Sequence, residues 1–199
     1  MIRVVTFGFF VLIVGCASGP PKSVTDICEI FREKSGWYAD ASEAQARWGI
    51  SVPTMMAFMH QESRFVSGAK PPRTKIWGII PGPRASDAYG YSQAKNSTWS
   101  WYKRESGNHG AQRDDFDDAI DFIGWYGDKS HRQNGISKSD SFRLYLAYHE
   151  GHGGYKRASY QSKPWLLEVA RKVLRQSQRF DAQLKLCYTE FEKKRWVWC

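Results

Sequence analysis

The chain has 199 residues, of which 42% are hydrophobic and 15% aromatic, and it carries a formal charge of +9. That is enough to bury one core and too little for two ordinary domains. Eleven basic residues against four acidic ones over 156–199 create a field suited to an anionic polymer or a membrane surface.

At the N-terminus, "MIRVVTFGFFVLIVGC" places one Arg at position 3 before an apolar run from Val4 to Val14. The run is shorter than the roughly 18–20 residues of a membrane span, and its flanks read as a signal peptide over 1–15. "IVGC" resembles a bacterial lipobox, in which the cysteine, here Cys16, becomes lipidated and begins the mature chain. No Asp follows Cys16, which points to the outer membrane, facing the periplasm, with the membrane as a partner through the lipid anchor. An anchor outside the cytoplasm argues against nucleic acid as a partner. Residues 16–23 comprise the lipidated cysteine and a Pro-rich stretch, 17–23, that reads as a tether reaching at most about 25 Å. The folded domain is expected over 24–199.

Helices are expected over 24–35, 38–48, 51–63, 96–105, 116–133, 140–149 and 165–190, with "GHGG" (151–154) as a turn. Pro53 sits in the first turn of the third helix, where its missing N–H costs nothing. Asp114, Asp115, Asp117 and Asp118 open the fifth, where carboxylates complement the helix dipole; that explains the acid cluster without a metal. The Pro- and Gly-rich segment 68–87 reads as an irregular loop. Its apolar residues Ile76, Trp77, Ile79 and Ile80 are costly to expose and are expected to cover core, glycan or bilayer. Period-2 alternation is scarce, so the fold class is mainly α, in one domain. Cys28 lies in the first helix, with Cys187 and Cys199 in the tail. Cys28–Cys187 is the preferred pairing because both lie in helical pattern, with Cys199 as the open alternative.

Several motifs fail on inspection. S-x-x-K occurs three times, at Ser67–Lys70, Ser92–Lys95 and Ser100–Lys103, without the S-D-N or K-T-G that penicillin-recognising enzymes need. "HEGH" (149–152) lacks the H-E-x-x-H spacing that stacks two imidazoles one turn apart. No metal site and no cofactor are expected.

Met55, Phe58, Glu62 and Phe65 share one helical face by spacing, so a carboxyl interrupts an apolar stripe. Either Glu62 bends out to water from the stripe's edge, or a semi-apolar cleft raises its pKa so that it can donate a proton. Glu62-Ser63 is followed by Gly90-Tyr91-Ser92-Gln93 and then by Ala147-Tyr148-His149. In that order the three segments resemble the soluble-type (SLT) lytic transglycosylases, with their lysozyme-like helical domain, over roughly 40–160. Tyr91-Ser92 stands where that family has Leu-Met, and His149 where it has Asn, which marks a divergent lipoprotein branch.

The resemblance implies cleavage of the bond between N-acetylmuramic acid and N-acetylglucosamine in peptidoglycan glycan strands, with Glu62 as single general acid/base and a 1,6-anhydromuramoyl product. It implies that Tyr148 hydrogen-bonds the Glu62 carboxyl, that Gln93 holds substrate amides, and that Ser63, Tyr91 and His149 contribute to substrate binding. Trp99, Trp101, Tyr102, Trp125 and Tyr126 are expected mostly in the core, with one or two facing sugar rings. Two alternatives stand beside this reading. One is a hydrolase on the same fold, with Asp87 or Glu150 as second carboxylate. The other is a wall-binding lipoprotein without catalysis.

Overall fold

A computed structural model describes residues 19–197; the expected signal peptide, Cys16 and Cys199 lie outside the described residues. Seven α-helices run in order: α1 (Ile27–Glu33), α2 (Trp37–Trp48), α3 (Val52–Ser63), α4 (Asn96–Ser106), α5 (Phe116–Asn134), α6 (Ser141–Lys156) and α7 (Pro164–Val197). Two short strands, β1 (Arg73–Ile76) and β2 (Ile80–Arg84), form one antiparallel hairpin between α3 and α4. The fold is the expected mainly α, lysozyme-like domain.

Helix α5 is the axis of the core. Asp115 caps it through the backbone N–H of Asp117, and the neighbouring carboxylates have partners of their own. Asp118 accepts from Asn108 and Gln112, and Asp114 accepts from the Tyr89 hydroxyl. Phe116, Ile120, Phe122, Ile123 and Trp125 of α5 are buried. Gly124 and Gly127 let the chain around α2 and α3 close in: a Cβ would lie 2.8 Å from Trp48 at the first and 2.8 Å from Ile50 at the second. Side chains of that size leave no room for a methyl.

The long α7 packs across α3, α6 and α1. A disulfide joins Cys28 of α1 to Cys187 of α7, 159 residues apart in sequence. Around it Phe31 meets Phe191 edge-on at 5.6 Å, and Arg32 makes a two-pronged contact with Glu190 at 2.8 and 3.0 Å. The described part of the expected tether lies against α1. Lys34 Nζ donates to Gly19 O at 2.7 Å, Lys22 N donates to the Glu33 carboxylate at 2.9 Å, and Pro21 is buried.

Segment 68–87 departs from expectation in being a hairpin rather than an irregular loop. Trp77 and Gly78 both take positive φ at its tip, and pairing slips between Arg73 and Lys75. The tip covers no core. Trp77 is 89% exposed, Ile79 82% and Ile80 48%. Among the described residues of these strands only Gly82 is buried, so no alternation marks them in the sequence.

Helix α6 also differs. The expected turn at 151–154 is a kink, not an end: Gly151 adopts φ 74 and ψ 158, and helix resumes to Lys156. Only a residue without a Cβ reaches that geometry at low cost. The break sits directly after Tyr148, His149 and Glu150.

Candidate active site

Glu62 lies in the last turn of α3. The helix stops at Arg64, which takes the left-handed conformation, and Phe65 follows with φ 62. Phe65 is therefore not on the helix, as its spacing suggested. It is nevertheless fully buried, beside Trp37 and His60. Met55 and Phe58 are buried on α3 as expected. Phe58, one turn before Glu62, meets Tyr145 edge-on at 5.2 Å and Tyr148 at 5.4 Å. Both tyrosines come from α6, three residues apart and so on one face.

The Glu62 carboxyl accepts a hydrogen bond from the Tyr145 hydroxyl at 2.8 Å. Burial among these rings raises its pKa from an ordinary 4.5 to about 7, against a smaller opposing pull from Tyr145. A proton-donating carboxyl near neutral pH is the result. The residue is half-buried: one edge opens onto a groove of about 460 Å³ whose walls include Gln93, Phe122, Tyr126, Tyr148 and His149.

Tyr148 does not hold the carboxyl. Its hydroxyl donates instead to the Ser92 carbonyl at 2.6 Å, which ties α6 to the turn at 90–93. The expected hydroxyl belongs to Tyr145, one turn earlier on the same face. Its position at i−3 from Tyr148 was the available signal. Gln93, at φ 50, spends its amide nitrogen on Ala69 O and Gly90 O, both at 2.9 Å, and lines the groove. Ser63 is buried and donates to Met59 O at 3.2 Å, an intrahelical contact rather than a groove-facing one. Tyr91 is likewise placed away from the groove: it is 3% exposed and meets Trp37 and Phe116 edge-on. An aromatic ring in that turn completes the core behind the site. His149 does line the groove, exposed, with its ring against Trp165 at 5.2 Å. Of the five expected aromatic residues, Tyr126 faces the groove. Trp99, Tyr102 and Trp125 are buried, and Trp101 packs edge-on against Trp125.

Two other carboxylates were in view. Asp87 is exposed, does not line this groove, and accepts from Asn96 N at 3.3 Å. Glu150 does line it. Burial pushes its carboxyl up, but bonds from Lys163, Ser159 and His149 outweigh that and bring it down to about 2. Lys163 Nζ reaches both oxygens, at 2.8 and 3.0 Å. Among the described residues no cluster of His, Cys, Asp or Glu has the makings of a metal site.

Removing the Tyr145 hydroxyl has a signed consequence. That bond stabilises the carboxylate, so Tyr145→Phe should raise the Glu62 pKa further. If Glu62 acts as an acid, the alkaline limb of kcat/KM should move to higher pH while the rate falls about tenfold or more. A purely structural Tyr145 would leave the limb where it is.

In a comparison with curated proteins, none matches the chain significantly. Residues 4–187 match the family described as the transglycosylase SLT domain. With the match spanning nearly the whole chain, this protein belongs to the transglycosylase SLT domain family, whose members are lytic transglycosylases acting on peptidoglycan.

Proposed function

We propose that the chain cleaves the β-1,4 bond between N-acetylmuramic acid and N-acetylglucosamine, with Glu62 as its single general acid/base. One observation carries the reading. A carboxyl protonated near neutral pH faces a groove from an aromatic wall, in the chain position where the family motif has its Glu-Ser pair.

In the first step Glu62 gives its proton to the glycosidic oxygen, the C1–O bond of the muramoyl unit breaks, and the GlcNAc hydroxyl leaves. Positive charge then grows on the muramoyl ring, and the new carboxylate lies beside it. In the second step that carboxylate takes the proton of the muramoyl 6-hydroxyl as its oxygen bonds to C1. The 1,6-anhydro ring closes, and Glu62 is again protonated. Phe58, Tyr145 and Tyr148 keep bulk water from the carboxyl, which holds its pKa near the working range. Gln93, its amide nitrogen committed to the turn, presents its carbonyl side to a substrate N–H.

The pH profile tests this directly. Because the protonated form acts first, kcat/KM should fall as pH rises through about 7. A rate that instead rises through that range would assign Glu62 the role of a base alone.

A second reading has one observation in its favour: Glu150 shares the groove and stays ionised, as a hydrolase's second carboxylate must. Against it, both Glu150 oxygens are already engaged by Lys163.

For location, we propose a lipid anchor at Cys16 in the outer membrane, facing the periplasm, on the strength of the lipobox-like "IVGC". With residues 19–22 laid on α1, a domain so anchored would sit close to the bilayer.

A further inference from the structure

The groove does not end at Glu62. Its wall residues Ser86 and Ala88 are shared with a neighbouring cavity of about 420 Å³, lined also by Lys70, Arg84 and Arg113. That cavity in turn shares Asn96 and Arg113 with a third, of about 390 Å³, which adds Lys103 and Arg104. The three form a continuous track along one face.

Five cations line this track beyond the groove, against one carboxylate, Asp87. None of the five makes an ion pair with a carboxylate among the described residues. The cations nearest the groove are also held in place. Lys70 Nζ and Arg113 Cζ sit 5.3 and 5.2 Å from the centre of the Tyr89 ring. One Arg113 nitrogen donates to Asp87 O and Ala94 O at 3.1 and 2.8 Å, and Arg84 donates to Pro71 O. Asp114, the remaining acid close by, is occupied by the Tyr89 hydroxyl and lines neither cavity.

Positioned guanidinium and ammonium groups without a counter-charge favour an anion that arrives from outside. In a peptide-bearing strand the muramoyl lactyl carboxyl is tied up as an amide, so the sugars themselves are neutral and have no use for them. The anionic part of peptidoglycan is the short peptide on the muramoyl lactyl group, which carries free carboxylates. We infer that Lys70, Arg84 and Arg113 form a subsite for the carboxylates of the stem peptide, so that the protein prefers peptide-bearing strands to bare glycan. The inference rests on the peptidoglycan reading above, with the glycan in the groove and its peptide branching past Ser86 and Ala88.

Binding tests it separately from cleavage. The Glu62→Gln protein should hold peptide-bearing glycan strands about tenfold tighter than strands stripped of peptide by an amidase and then amidated at the lactyl carboxyl that this frees, a preference that shrinks with added salt. Adding Lys70→Glu and Arg84→Glu should bring the ratio close to one. Both residues are exposed, so the fold should tolerate the change; Lys70→Ala with Arg84→Ala serves if charge reversal unfolds the chain. Equal binding of the two strands by Glu62→Gln, or a preference that survives either double substitution, would overturn the subsite. Failure of the cleavage reading looks different: the unsubstituted protein would release no fragments from either strand, with the binding comparison still readable.

Discussion

Glu62→Gln should abolish glycan cleavage and, at alkaline pH, make the protein more stable. The amide can accept the Tyr145 hydrogen bond but cannot give and retrieve a proton, and both steps of the proposed reaction pass through that one group. A loss of about a thousandfold or more is expected. The stability change has a definite sign. A carboxyl whose pKa is raised on folding binds its proton more tightly in the native state than in the unfolded one. Its contribution to stability is therefore fully present below the ordinary value of 4.5 and is lost as pH rises through about 7. Above that, the buried charge costs on the order of 3 kcal/mol, which a neutral amide avoids. The melting temperature of Glu62→Gln should match that of the parent near pH 4 and exceed it increasingly up to pH 8. Equal melting curves across that range would mean that the carboxyl is solvated and ordinary.

The second large effect concerns the disulfide. Replacing Cys28 and Cys187 by Ser releases a closure spanning 159 residues. In the chain-entropy description a loop of that length contributes about 5 kcal/mol, with about 2–5 kcal/mol the usual range for removing a native bond. That is a large share of the total stability of a domain this size. The loss falls on the contact between α1 and α7, and α7 also backs α3, the helix that carries Glu62. Chemical denaturation of the double Ser variant should show a clearly lower midpoint. Any activity that survives at low temperature should keep its pH profile, since no group at the Glu62 carboxyl has changed. A midpoint equal to that of the oxidised parent would show that the loop closure contributes nothing.

What could be read in the sequence follows the strength of each local signal. Helix periodicity and glycine stops located the seven helices to within a few residues, except at α6, which continues through the Gly151 kink to Lys156, and at α7, which continues to Val197. The stripe of Met55 and Phe58 set Glu62 against apolar neighbours, in a helix that is buried on all sides from Val52 to Met59. The hairpin left no such mark: its described residues are exposed apart from Gly82, which gives no alternation, and Pro81 and Pro83 argue for a loop. Tyr145 and Tyr148 share a face, and which hydroxyl meets Glu62 depends on how α6 is rotated against α3. That rotation is a tertiary quantity, pinned by Tyr148 reaching Ser92. Tyr91 was misplaced for a related reason. A residue inside a motif can face the substrate or the core, and here a place beside the stacked rings of Trp37 and Phe116 took it. Glu150 shows the same limit, since its pairing with Lys163 spans a kink and a 3-10 turn that spacing does not reveal.

The proposed chemistry comes down to which nucleophile attacks the muramoyl C1. Intramolecular attack by the 6-hydroxyl yields a 1,6-anhydro end, lighter by one water than the reducing end left by hydrolysis. Only the hydrolytic route needs a second carboxylate to position water or form a covalent intermediate. Peptidoglycan digested with the protein, its fragments weighed by mass spectrometry, distinguishes them. The account predicts anhydromuramoyl ends from the parent protein and none from Glu62→Gln. Fragments bearing only reducing muramic ends would contradict it in favour of a hydrolase.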